Sequence, residues 1–121
     1  MRPSEILEHA RTKVDHPSKW CFDHWEKDGR LCAEWAVRAV CIEAKVIGAS
    51  GDRIYNEYDL ALRHLSREMQ GNTIRFEYRH SHSEVLAAFD RAILRAKRFE
   101  GNLRVRLAYS WYCTDLMIKW I

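Results

Sequence analysis

At 121 residues, with 47% hydrophobic and 31% charged side chains, the chain can bury one core without disulfide staples and is expected to form a single globular domain over residues 1–121. Two prolines and five glycines argue against disorder and against a turn-rich all-β fold. The net charge of +3 conceals an asymmetry: nine Lys/Arg stand against eleven Asp/Glu in residues 1–60, and eleven against six in residues 61–121, so an acidic partner would meet the C-terminal half first.

No run of about eighteen apolar residues is present, and the N-terminal MRPSEILEHA carries charges where a secretory segment would be apolar. These features predict an unexported, cytoplasmic protein with no membrane partner. Cys21, Cys32, Cys41 and Cys113 are widely spread and read as reduced thiols acting as small hydrophobes. Five tryptophans favour a packed core or an aromatic contact surface.

Pro3 precedes a first helix, Ser4 to Asp15, with Ile6, Leu7, Ala10 and Val14 on one face, which reads as a short surface helix. Ser18 to Lys27 holds Trp20, Phe22 and Trp25 without clean periodicity, predicting a helical turn or ordered loop that ends at the Asp28-Gly29 turn. Leu31 to Ile47 is apolar around most of its circumference, the pattern of a central buried helix. Within it Glu34 and Arg38 have the spacing of a favourable pair worth about 0.2–0.5 kcal/mol.

Asp52 to Gln70 places Ile54, Tyr55, Tyr58, Ala61, Leu62, Leu65 and Met69 along one side of another helix. Thr73 to Tyr78, TIRFEY, alternates instead and predicts a short strand. Ser81 to Phe99 has the clearest pattern of all. Ser81 and Glu84 have capping-box spacing, with Ser83 a rival cap. Val85, Leu86, Phe89, Ala92, Ile93, Ala96 and Phe99 form one stripe, and Gly101 is the stop. In the tail Leu103, Val105, Leu107, Tyr109 and Trp111 alternate as in a strand, while Leu103, Leu107 and Trp111 also fit a helix. The expected fold is therefore mainly α, a small helical bundle around a central buried helix, 31–47. The alternative is α+β, with a two-stranded ribbon pairing 73–78 with 103–111.

Trp20-Cys21, the run from Asp28-Gly29-Arg30 into Cys32-Ala33 and Trp35, and Glu84-Val85-Leu86 with Phe89-Asp90-Arg91-Ala92 together resemble an uncharacterised family of short bacterial and phage proteins carrying a domain of unknown function. The resemblance covers about residues 4–97. The chain departs from it at Ala36 and Arg38, where relatives have a Gly-Ala step, and at Tyr78-Arg79-His80, which replaces an Asn-Asp turn. The resemblance implies a small helical domain of bacterial or mobile-element origin and carries over no catalytic residue.

Four side chains, Cys21, His24, His80 and His82, are weak candidate ligands for zinc, without the spacing of a recognised zinc module. Cys21 and His24 would also supply a thiol and a base one helical turn apart, but no Gly-rich phosphate loop, paired-carboxylate motif or HExxH accompanies them. No enzyme activity, catalytic residue or cofactor is expected. Arg91, Arg95 and Arg98 recur along the outer face of the last helix, with Arg104 and Arg106 beyond it. Such a stripe is either a solvated face or a phosphate-binding one. Trp111, Tyr112 and Trp120 bring the residue types enriched at interface cores. The favoured function is a non-enzymatic macromolecular interaction protein that binds a protein partner through these arginines and aromatics, one form being an anti-CRISPR-like counter-defence inhibitor of a host complex. The alternatives are a nucleic-acid binder using the arginine stripe and a small metal-binding or hydrolytic protein. Homodimerisation is a further option.

Overall fold

The computed structural model describes residues 1–22, 25–45 and 57–102. Helix α1 (Pro3–Lys13) has its proline in the first turn, where the missing N–H and fixed φ suit a helix start. Ile6, Leu7 and Ala10, with Val14 just beyond, are fully buried. α1 packs against α2 (Ala33–Glu43), α3 (Glu57–Glu68) and α5 (His82–Gly101). The expected surface helix is therefore a hub of the core, because its narrow apolar stripe faces a groove made by three neighbours. α2 adds Ala33, Ala36, Val37, Val40 and Cys41 to the same core, and α1, α3 and α4 (Thr73–Arg79) lie against it. It is shorter than the apolar pattern suggested at both ends, since Leu31 is in a strand and Cys32 is the cap, while the helix stops at Glu43 with Ala44 as C-cap and Lys45 at φ 59°; residues 46–47 lie outside the described residues.

A 3-10 turn at Pro17–Lys19 leads to a small antiparallel ribbon, β1 (Glu26–Lys27) and β2 (Arg30–Leu31), with Lys27 opposite Arg30. Asp28 and Gly29 both have positive φ, 53° and 80°, as a two-residue type I′ hairpin turn requires. The ribbon is fixed to the body of the fold by Cys21 N–H donating to the Leu31 carbonyl and Cys32 N–H to that of Trp25, each at 3.1 Å.

On α3 the buried residues are Leu60, Ala61, His64 and Leu65, with Met69 after the helix. Tyr58 and Leu62 are partly buried against the core, and the expected Ile54 and Tyr55 lie outside the described residues. The segment expected as a strand is helix α4. Asn72 caps it, its side-chain oxygen accepting from Arg75 N–H at 3.0 Å. Phe76 and Glu77 turn inward while Ile74 and Tyr78 are exposed, so the alternation does not mark a buried strand face. The two-stranded ribbon is thus 26–27 with 30–31 rather than 73–78 with 103–111, and 103–111 lies outside the described residues.

In α5 the capping box forms at Ser81: its hydroxyl accepts from Glu84 N–H, and the Glu84 carboxylate accepts from Ser81 N–H at 3.1 Å. Val85, Ala88, Phe89, Ala92, Ala96 and Phe99 are buried, and Asn102 is the C-cap. Among the described residues, no helix is long and apolar enough to cross a membrane.

Candidate functional site

Capping of α4 by Asn72 carries Glu77 into the interior, where it is 1% exposed. Its Oε1 accepts from Trp20 Nε1–H at 2.8 Å and from Ala33 N–H at 2.7 Å. The second donor belongs to the first turn of α2, whose amides have no intrahelical acceptor. Oε2 is equally buried and has no hydrogen-bond partner. Burial pushes the Glu77 carboxyl up to about 7, against the two hydrogen bonds, and the nearby Glu34 charge adds to the rise.

Glu77 contributes to the lining of a cleft of about 570 Å³, together with Phe22, Trp25, Glu26, Cys32, Trp35 and Ile74. The Trp25 and Trp35 rings stack at 5.1 Å, 8° from parallel, and the Arg38 guanidinium lies over Trp35 at 5.1 Å. Phe22 meets Trp20 at 5.9 Å and the edge of Tyr78 at 5.6 Å. Trp25 and Tyr78 remain 62% and 70% exposed, so part of this aromatic cluster faces solvent. Cys32 closes one side, its sulfur accepting from Trp35 N–H, and burial pushes its thiol up to about 12, so it is a neutral wall rather than a thiolate. The cleft therefore offers aromatic surface and two acidic residues, Glu26 and Glu77, the second with a buried, unpaired oxygen.

The arginine stripe is partly tied into the fold. Arg91 and Arg95 both reach Glu68, at 3.0 Å and 2.7 Å, and clamp α5 to the end of α3. Burial would raise the Glu68 carboxyl, but the hydrogen bonds and charges of Arg95 and Arg91 outweigh it and hold it below its ordinary value. Arg98 is exposed on the same helix. Arg104, Arg106, Trp111, Tyr112 and Trp120 lie outside the described residues. Acidic residues also interleave with this face, since Asp90 accepts from Arg11 at 2.8 Å.

Among the described residues, the candidate metal ligands Cys21, His80 and His82 do not form a metal-holding group. His80 Nδ1 donates to the Phe76 carbonyl at 2.9 Å and its ring stacks on Phe76. His82 Nε2 donates to the Val14 carbonyl at 2.6 Å, beside Trp20. Cys21 is buried, with its sulfur 3.5 Å from the Arg30 carbonyl, and His24 lies outside the described residues. Among the described residues, no group of three or more His, Cys, Asp or Glu could hold a metal ion. Sequence reasoning missed Glu77 because it placed that residue on a strand; the Asn72 cap four residues after Glu68 was the available signal for a helix there.

These features define a small helical domain with an aromatic cleft that carries two acidic residues, Glu26 and Glu77. Residues 1–95 match a family of unknown function, DUF6197, and the chain belongs to it. No curated protein and no solved structure gives a match.

Proposed function

We propose that this protein is a non-enzymatic interaction module that engages a protein partner through the cleft lined by Phe22, Trp25, Trp35 and Glu77. The observation that supports this reading is the juxtaposition of exposed aromatics with a buried carboxyl oxygen that has no partner. Tryptophan and tyrosine are among the residues enriched at interface hot spots. The nucleic-acid alternative draws less support, because Glu68 neutralises much of the Arg91 and Arg95 charge. A counter-defence inhibitor occluding a basic site on a host complex is the specific form this acidic surface suits, acting in the cytoplasm where buried Cys21, Cys32 and Cys41 would stay reduced.

The test is affinity capture from nuclease-treated lysate with the intact protein and with Trp25→Ala, whose side chain is exposed enough to be removed without opening the core. A defined protein set retained by the first and lost by the second is the expected result. Capture that survives Trp25→Ala but fails in Arg98→Glu would instead move the contact surface to α5 and overturn the assignment.

A further inference from the structure

We propose that the cleft receives a basic side chain of the partner protein, an ammonium or guanidinium head on an aliphatic stem, with the head bound at Glu77 Oε2. This rests on the interaction reading above and names the chemistry that reading needs.

The first argument is hydrogen-bond accounting. Oε1 already accepts two bonds, while Oε2 is buried without one, an unfavourable state for a carboxyl oxygen removed from water. A ligand entering the cleft is favoured if it brings an N–H to that oxygen. The second argument is charge. Glu77 and Glu26 line the cleft, and no Lys, Arg or His does so among the described residues, so an anion would be repelled and a cation drawn in. The third is the wall itself: the rings of Phe22 and of the exposed Trp25 carry the negative quadrupole that attracts cations, whereas Trp35 is already taken up by Trp25 and Arg38. Arg38 over Trp35 is the same contact already made within the chain. The cleft volume of about 570 Å³ accommodates a long side chain with room for its stem against Ile74.

A cation at Oε2 would favour the carboxylate over the acid, so binding is coupled to loss of the Glu77 proton. The groups around that carboxyl are Glu34, the neutral Cys32 thiol and, over the Trp35 ring, the Arg38 guanidinium from α2, with Glu26 on β1 and the buried Cys21, while His82 on α5 sits against Trp20 and donates to a backbone carbonyl.

The experiment titrates the intact protein with butylguanidinium and butylammonium, using n-butanol as the uncharged control, followed by indole N–H chemical shifts. The expected result is saturable shifts of the Trp25 and Trp35 signals with the cations but not with butanol. Affinity should rise about tenfold between roughly pH 6 and 8 as Glu77 ionises. Glu77→Gln should weaken binding at least about tenfold and flatten the pH dependence. Trp25→Ala, which leaves the core untouched, should weaken it several-fold even if Glu77→Gln fails to fold. Equal binding of butanol, cation binding that survives both substitutions, or no saturable shift up to about 100 mM would overturn the inference. If cations fail to bind while Trp25→Ala still abolishes partner capture, the interaction reading stands without this chemistry; if capture is also unaffected, both fall.

Discussion

Glu77 on α4 and His64 on α3 are each 1% exposed, and burial drives both toward their neutral forms, yet the two sites are built differently. Glu77 has one oxygen bonded twice and the other buried without a partner, on a residue that lines a cleft. His64 meets the Phe99 ring edge-on at 5.8 Å, and neither of its nitrogens has a hydrogen-bond partner. Burial lowers its pKa to about 4; Arg95 and Arg67 push the same way and Glu68 opposes them. Burial is the largest cause of the shift at both, but of the two only Glu77 lines the cleft between Phe22, Trp25 and Trp35. The lesson is that a perturbed ionisable group becomes a functional candidate through what surrounds its free atom, and not through the size of the perturbation.

Removing each group should separate them most strongly. Glu77→Ala strands the Ala33 and Trp20 donors and opens a void, and should cost about 3–5 kcal/mol in urea unfolding with an unchanged m-value. A loss below that range would mean the two donors find water and that the cleft is wetter than Glu77's burial implies.

The pH profile sharpens the contrast further because the signs are opposite. The His64 pKa is depressed from 6.5 to about 4. Its contribution to stability is therefore present above 6.5 and lost as pH falls to about 4, a change on the order of 3 kcal/mol. The Glu77 pKa is raised from 4.5 to about 7; its contribution is present below 4.5 and lost as pH rises to about 7, again on the order of 3 kcal/mol. The two slopes oppose each other between pH 4.5 and 6.5, where the parent protein should be nearly flat. His64→Leu should uncover a stability that falls with rising pH, and Glu77→Gln one that rises, both read from denaturation midpoints across this window. Parallel slopes in the two variants would contradict the assignment.

Smaller effects test the details. At pH 7 His64→Leu should stabilise by about 1 kcal/mol, since it removes an unpaired buried N–H while keeping most of the volume. Trp20→Phe removes one donor from Glu77 and should cost about 0.5–1 kcal/mol, and it should move the Glu77 titration to higher pH.

How far the fold could be read from sequence depended on the range of the forces involved. The start and stripe of α5 are set within a few residues, by Ser81, Glu84 and the spacing of Val85, Phe89 and Ala92, and were legible in full. The stripe of α1 was equally legible, but its place at the hub was not, because a stripe does not reveal how many partners share it. TIRFEY was misread because six residues of alternation also fit fewer than two helical turns, and the Asn72 cap decides between them. The cleft was legible only as a cluster of aromatics at Trp20, Phe22 and Trp25. Its carboxyl is held from 57 and 44 residues away, distances at which no local pattern operates. The arginine stripe was visible, but the Glu68 that occupies two of its members lies 23 and 27 residues earlier in the chain.

The Ser4 hydroxyl donates to Glu100 Oε1 at 2.7 Å across a separation of 96 residues, in a serine that is itself 1% exposed. During synthesis the hub helix α1 emerges well before α5, against which much of its apolar stripe must close. Until then Ile6, Leu7, Ala10 and Val14 have only part of their eventual cover, and final docking must close a loop spanning most of the chain, which slows folding and leaves a sticky face exposed to other nascent chains.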